Sequence, residues 1–133
     1  MQKVLLDEYS DADLNIIIVW LKMYEADSLD VVHEASKLYI KDARVSQFYD
    51  PERLVGREVA TRFGANPGEV AWDVYLFFDP HSAWNELLPL PEDWAHQLTS
   101  SNWVDPRRLF QGDQLKDKLR EIAENLLRKA TDA

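Results

Sequence analysis

The chain has 133 residues, a formal net charge of −9 at pH 7 and no cysteine. Nucleic acids and anionic membranes are bound through clustered Lys and Arg, so this charge argues against both as partners. Without cysteine there are no disulfides, thiolate metal sites, iron–sulfur clusters or thiol nucleophiles. The length and the 46% apolar content predict a single domain over residues 1–133.

No apolar run reaches the roughly 18 residues that a membrane-spanning helix needs. Asp7 and Glu8 interrupt the region in which an export signal would be apolar. We therefore expect a cytoplasmic protein without a membrane partner.

The first part of the chain predicts a helix and then a buried strand. Residues 2–9 carry a short apolar stripe that indicates part of a helix, and the segment Ser10-Asp11-Ala12-Asp13 ends it. Residues 15–22 contain a continuous apolar run that is rich in β-branched side chains. Such a run is typical of a strand buried on both faces in a parallel sheet.

A second helix and an alternating strand come next. Asp27 or Ser28 can cap a helix of about residues 28–40, because their side chains accept hydrogen bonds from the first helical amides. Residues 43–49 alternate and predict a strand with one face less buried, at a sheet edge. The expected inward stripe of the helix is Val31, Val32, Ala35, Leu38 and Tyr39.

A third helix and a third strand follow. Asp50 as the N-cap and Pro51 at the first helical position predict a helix to about Phe63, with Gly64 as its stop. Its inward side chains are expected to be Leu54, Val55, Val59 and Phe63. Residues 70–78 predict the third strand.

The last part of the chain is rich in Pro and Trp and then becomes helical. The prolines of residues 79–110 forbid a long helix there, its Trp residues predict packing on the body, and a short strand is expected around 96–103. Asp113 is expected to cap a final helix to about Lys129, which has the strongest apolar periodicity in the chain. That stripe is Leu115, Leu119, Ile122 and Leu126. Strands separated by helices predict an α/β sheet with helices on both faces.

This order resembles the thioredoxin-like family, on the branch of small redoxins with a helix and a strand inserted after the second core strand. The most similar segments are Asp42–Val45, Phe48–Asp50, Ala71–Tyr75 and Trp94–Leu98, which look like parts of an uncharacterised bacterial redoxin-like group. The resemblance implies a thioredoxin-like three-layer sandwich, in which a mixed sheet has helices on both faces.

The chain departs from that family where redox chemistry takes place. It has no Cys-x-x-C and no strand before it, and no Pro stands directly before Trp72, where the family's cis-proline is expected. The family's redox activity is therefore assigned to no residue. Because the missing first strand is usually central, the chain must pair its strands differently, exchange strands with a second copy, or be less than the natural full-length product.

Asp50 and Asp79 each end a predicted strand and precede Pro. Acids at the carboxyl ends of strands can hold Mg²⁺ in open α/β sheets. However, Asp-Pro is also ordinary turn and cap chemistry, and the sequence has no nearby Gly-rich phosphate loop. We therefore favour a capping role for both acids.

Trp72 and Asp73 lie in the predicted third strand, where neighbouring side chains point to opposite faces. A buried Asp73 needs a partner, and Arg44 on the second strand is the expected one. Such a carboxylate is either a functional acid or half of a structural ion pair, and we favour the pair.

His96 is near Trp94 and Trp84 in sequence and could line an aromatic pocket, although such a His more often donates to a backbone carbonyl and packs. His33, His81 and His96 do not have metal-binding spacing. No catalytic residue, metal or cofactor is therefore assigned.

Three functions stay open. The first is a non-catalytic interaction module or redoxin remnant that binds a protein partner or a second copy, mainly through the aromatic loop 80–103. The second is an α/β enzyme that binds a small molecule or a divalent ion through Asp50, Asp73 or Asp79. The third is a fragment of a Cys-x-x-C thiol-disulfide oxidoreductase.

Overall fold

The computed structural model describes residues 2–39 and 41–132. An N-terminal π-helix covers Gln2–Asp7, and the strands are β1 Ile16–Leu21, β2 Val45–Asp50, β3 Val74–Phe77 and β4 Asp93–His96. The α-helices are α1 Leu29–Ser36, α2 Leu54–Arg62 and α3 Gly112–Asp132, and a 3₁₀ turn covers Pro106–Arg108. The protein is therefore of the mixed α/β class that the element order predicts.

The described strands form two separate sheets, whereas the sequence predicts a single mixed sheet. β1 and β2 pair in parallel, with Ile16 opposite Val45. β3 and β4 pair antiparallel, with Val74 opposite His96. Among the described strands no ladder joins the two sheets, so β1 and β3 each have one edge without a neighbouring strand.

The hydrophobic core lies on the two faces of the β3–β4 sheet. On one face, Tyr75 and Phe77 of β3 pack against α3 and the π-helix. On the other face, Val74 and Leu76 pack against α2 and the long loop that precedes β4. This part of the molecule therefore has three layers, with the sheet in the middle.

The final helix confirms the periodicity of the sequence. Leu115, Leu119 and Ile122 of α3 are buried in the core against the β3–β4 sheet. Asp113 lies inside the first turn of α3 rather than before it. Its negative charge still lies at the positive end of the helix dipole.

β1 is the longest strongly apolar run of the chain, but none of its six residues is buried. The prediction that this strand is buried on both faces is therefore wrong. α1 and the segments next to it cover one face, where the Gln47 amide donates to the Ser36 carbonyl at 3.0 Å and the Tyr49 hydroxyl donates to the Asp27 carbonyl at 3.2 Å. The opposite face has much less cover.

α1 is shorter and less buried than its sequence predicts. Ser28 is its N-cap and accepts from the Val31 amide at 3.3 Å, as expected. The helix ends at Ser36, and the predicted end at residue 40 lies outside the described residues. Of the predicted stripe only Val32 is buried, whereas Val31 and Leu38 are 54% and 72% exposed.

α2 begins at Leu54, later than the sequence predicts, because Arg53 adopts a left-handed backbone conformation with φ of 59°. Pro51 therefore lies in the connecting turn, and the Asp50 carboxylate caps the helix from four residues upstream. Leu54 belongs to the predicted inward stripe but is 59% exposed. Gly64 has φ of 88° just after the helix and ends it as predicted.

β3 begins only at Val74, so Trp72 and Asp73 precede the strand rather than lying in it. Asp73 has φ of 52°, which interrupts the extended backbone. It is exposed, and Arg44 pairs with Asp42 at 2.8 Å instead. The predicted buried pair of Asp73 and Arg44 is therefore wrong. β4 also begins earlier than the predicted strand at 96–103.

Candidate functional site

One face of the β1–β2 sheet presents apolar side chains to solvent. Val19 is opposite Phe48, and Ile17 shares their face because alternate residues of a strand point the same way. Ile17 is 63% exposed and Phe48 is 57% exposed. We call Ile17, Val19 and Phe48 the open face.

On the same side of the β1–β2 sheet, α2 contacts the C-terminal ends of the two strands, beyond the open face. Asp50, the last residue of β2, caps α2, and a methyl group added at Gly56 of α2 would lie 3.2 Å from Leu21 Cδ1. Large apolar side chains are normally covered in a parallel sheet, because both of its faces pack against other elements. The open face is therefore the feature of the described fold that most clearly lacks a partner.

The β1 edge next to the open face also lacks a partner strand. The amides of Ile16 and Lys22 donate to the carbonyls of Arg44 and Asp50, at the two ends of the parallel ladder. Alternation along the ladder then directs the amides and carbonyls of residues 17, 19 and 21 away from β2. They have no backbone partner among the described residues.

β3 has a matching unpaired edge. The Asp73 carbonyl accepts from the Gln97 amide at 3.0 Å, which continues the ladder between β3 and β4 by one position. By alternation, the backbone groups of Val74 and Leu76 point away from β4. The described part of the chain supplies no strand to this edge either.

Asp50 and Asp79 both make local hydrogen bonds to the backbone. The two oxygens of Asp50 accept from the Leu54 and Val55 amides at 2.9 and 2.8 Å, and its side chain is 8% exposed. Asp79 accepts from the His81 amide at 2.8 Å in a local turn. The described residues contain no group of three His, Cys, Asp or Glu that could hold a metal ion.

Trp72 and Asp73 lie at the surface before β3. Trp72 is 39% exposed. Burial raises the pKa of the nearby Tyr75 hydroxyl, and the negative charge of Asp73 raises it further. The Gln97 side chain donates to that hydroxyl at 3.2 Å. That hydrogen bond lowers the pKa, but burial and the charge of Asp73 outweigh it, so Tyr75 stays a neutral phenol at physiological pH.

Trp94 lies in a buried cluster of rings and charges. Its ring stacks on Phe63 with 4.4 Å between centroids, and the Arg108 guanidinium carbon lies 5.3 Å from the indole centroid. Arg108 also donates to the Trp94 carbonyl at 2.9 Å and forms an ion pair with Asp93. These contacts attach the 3₁₀ turn to β4 and leave Trp94 only 8% exposed.

His96 is completely buried beside Trp94, with 5.6 Å between the two ring centroids. Its Nδ1 accepts from the Leu98 amide at 3.0 Å, so its Nε2 carries the proton that is donated to the Asp105 carbonyl at 2.8 Å. Both ring nitrogens are thereby used within the fold. Of the two roles that the sequence allows for His96, this geometry matches a packed side chain that donates to a backbone carbonyl, and not a residue that lines a pocket.

Arg44 has a role that its position in the sequence does not indicate. Its guanidinium donates to the carbonyls of Leu6, Tyr9 and Ala12 at 3.1, 2.6 and 3.3 Å, and to the Asp42 carboxylate. It thus attaches the end of the π-helix to β2. The hydrogen bonds from Arg44 hold the pKa of Asp42 below its usual range.

A shallow depression of about 480 Å³ lies beside Arg44, between the π-helix and the start of β2. The guanidinium is already occupied by carbonyls and by Asp42, so it has little capacity left for an anionic ligand. Only the close Asp42–Arg44 spacing in the sequence could have indicated this network. The three carbonyls come from a distant segment and leave no trace in the local pattern.

The loop before β4 combines one anchor with several exposed apolar side chains. Leu88 is 4% exposed and its carbonyl accepts from Arg62 Nε at 2.8 Å. Trp84, Leu87 and Leu90 are 47%, 66% and 60% exposed. Trp84 is thus at the surface, whereas Trp94 and His96 are in the interior.

In the described part of the chain, no helix is both long enough and apolar enough to cross a membrane. No protein-family model, curated protein or solved structure matches the chain significantly.

Proposed function

We propose that this chain is a thioredoxin-like domain that acts as a non-catalytic protein-interaction module. The observation that carries this proposal is the open face, together with the incomplete burial of β1, the most apolar run of the chain. Contiguous apolar side chains exposed on a sheet are typical of surfaces that bind another protein. The exposed side chains of the loop before β4 add a second apolar surface.

The strand arrangement supports the thioredoxin-like part of the proposal. In the fold that the resemblance implies, a central strand lies between a pair of parallel strands and a pair of antiparallel strands. The parallel pair β1–β2 and the separate antiparallel pair β3–β4 are consistent with the outer parts of such a sheet. This agreement concerns topology alone and carries no activity with it.

The chemistry of the side chains supports a non-catalytic role. The chain has no cysteine for thiol exchange. The most promising candidates, Asp50 and His96, use their polar atoms to cap a helix and to join backbone segments. The divalent-ion alternative is therefore less well supported than an interaction surface, because Asp50 is already engaged and Asp79 makes a turn.

Site-specific photo-crosslinking in cells tests the interaction module. A benzophenone amino acid replaces Ile17 or Phe48 on the open face, and a matched control places it at the exposed Lys116 of α3. We expect the two open-face positions to yield the same adduct, identified by mass spectrometry, and position 116 not to yield it. Phe48→Asp should then weaken binding of the identified protein in a purified system.

Two results would contradict the proposal. One is the same set of adducts at all three positions, because the open face would then have no preference for a partner. The other is catalytic turnover of a model disulfide, thiol or peroxide by the purified chain.

A further inference from the structure

We infer that the partner inserts an extended strand between β1 and β3 and pairs with both unpaired edges. This inference rests on the proposed function and specifies the kind of partner. It predicts a continuous sheet in the order β2, β1, partner strand, β3, β4.

The hydrogen-bonding groups for such a strand are already in place. Residues 17, 19 and 21 direct their backbone groups away from β2, and residues 74 and 76 direct theirs away from β4. Backbone hydrogen bonds give affinity when an extended peptide adds to a sheet edge, and side-chain contacts give specificity. One inserted strand can use both of its own edges at once.

The end of β1 and the segment that leads into β3 both lie close to Gly56 of α2. A methyl group at Gly56 would lie 3.2 Å from Leu21 Cδ1 and 3.0 Å from the Ala71 carbonyl oxygen. Leu21 ends β1, whereas Ala71 comes just before β3, so β1 runs toward this point and β3 runs away from it. An inserted strand is therefore parallel to one of them and antiparallel to the other.

The edge of β1 has none of the usual features that prevent strand addition. Edge strands are commonly protected by Lys, Pro or a bulge. β1 is Ile-Ile-Ile-Val-Trp-Leu, and its register with β2 has no bulge. β3 is shorter, Val-Tyr-Leu-Phe, and also contains neither Lys nor Pro. β2, by contrast, presents Ser46 and Gln47.

The charges around the two edges indicate the chemistry of the partner strand. Asp11 and Asp13 precede β1, and Glu69 and Asp73 precede β3. Lys22 is the basic residue next to β1. The charges are therefore acidic before both strands, while the open face is apolar. A complementary strand is apolar and β-branched in its centre and has Lys or Arg at both ends.

These charges favour a different protein over a second copy. The apolar strand that a second copy would offer, β1, is itself preceded by Asp11 and Asp13. Two chains of net charge −9 would also repel each other. The partner segment should span about 20 Å, which is the length of a strand of six residues such as β1.

A synthetic peptide provides the test. The probe has a Val-Ile-Val-Ile-Val centre with two Lys at each end and a fluorophore, and binding to the whole chain is measured by anisotropy. Its matched control carries N-methyl groups on alternate centre residues, which removes amide donors but keeps the side chains and charges. We expect N-methylation to weaken binding by at least about tenfold, since each lost hydrogen bond is worth about 1 kcal/mol.

Two further controls change the charged residues, first in the protein and then in the probe. Asp11→Asn with Asp13→Asn should weaken binding of the Lys-flanked probe and reduce its salt dependence, whereas Glu121→Gln on α3 should not. A probe with Glu in place of Lys should bind more weakly than the Lys form. On binding, the amides of Val19 and Leu76 should both become protected from hydrogen exchange.

Each outcome decides the inference. Equal binding of the probe and its N-methylated form would show docking on a face rather than strand addition, and would overturn it. So would no binding at about 1 mM probe, which corresponds to about −4 kcal/mol, or protection of only one edge. Crosslinks from position 48 distinguish the two proposals in these cases. If they still form, the interaction module is supported without strand insertion. If they do not form, both proposals are contradicted.

A stable dimer in light scattering would assign the edges to a second copy and contradict the inference.

Discussion

His96 shows how the geometry of one side chain separates a structural role from a functional one. Its ring joins the Leu98 amide, which no strand or helix satisfies, to the Asp105 carbonyl, which also accepts from the Arg108 amide at 3.0 Å. Leaving a buried amide or carbonyl without a partner costs about 1 to 3 kcal/mol. The histidine therefore fixes the connection from β4 to the 3₁₀ turn.

We expect His96→Ala to lower the free energy of unfolding by about 2 to 4 kcal/mol, because a cavity and an unpaired, buried Leu98 amide result. His96→Asn keeps an acceptor near the Leu98 amide, so it should be less damaging than Ala. Urea unfolding followed by Trp fluorescence measures the difference. Equal stability of the wild type and both variants would contradict the bridging role.

Side-chain contacts differ in how well the sequence predicts them. Trp94 and His96 are adjacent in space because they are two positions apart on one strand, so their proximity can be predicted. The sequence predicts that Arg44 pairs with Asp73, but Arg44 binds Asp42 and carbonyls in and near the π-helix. Such contacts depend on how distant segments pack, which a local pattern does not contain.

At the scale of elements, a local sequence pattern predicts that a helix forms better than it predicts which elements the helix packs against. The spacing of Leu115, Leu119 and Ile122 predicts α3, because a long amphipathic stripe has only one face to bury. The starts of α2 and β3 differ from prediction because Arg53 and Asp73 adopt left-handed conformations. Non-glycine residues rarely adopt this conformation, so the sequence gives little warning of it.

Gly56 of α2 lies in close contact with the segment that leads into β3. A methyl group there would lie 2.7 Å from Val70 Cγ1 and 3.0 Å from the Ala71 carbonyl oxygen, and the Ala71 amide donates to the Gly56 carbonyl at 2.9 Å. The valine can rotate, but the backbone of Ala71 is held by this hydrogen bond. Glycine is therefore required at this position in spite of its low helix propensity.

We expect Gly56→Ala to lower the free energy of unfolding by about 1 to 2 kcal/mol, because overpacking outweighs the gain of about 1 kcal/mol in helix propensity. Thr61→Ala, at an exposed position of the same helix, is the matched control and should not destabilise the protein. Adding Val70→Ala should not restore stability fully, because the contact with the Ala71 carbonyl remains. Thermal unfolding compares the variants, and stabilisation by Gly56→Ala would contradict the close approach.

At the scale of the whole molecule, the buried core is distributed unevenly. The packed clusters lie around the β3–β4 sheet, α2 and α3, whereas β1 and β2 contribute only Asp50 to the buried residues. The apolar run of β1 correctly predicts a strand but also predicts burial that the described chain does not supply. The pairing of strand edges depends on contacts between distant segments. The alternation of apolar and polar residues within one strand does not specify the neighbouring strand.

This distribution predicts an alternating pattern of hydrogen exchange along β1 in the chain without a partner. The amides of Ile16, Ile18 and Trp20 point toward β2, and those of Ile17 and Val19 point toward the unpaired edge. We expect the second set to exchange at least about tenfold faster, since exposed amides without a hydrogen bond are little protected. Amides of α3 should be the slowest, because that helix packs on the largest core. Equal protection along β1 would mean that its edge is already covered in solution, and light scattering at several concentrations would then show whether a second copy covers it.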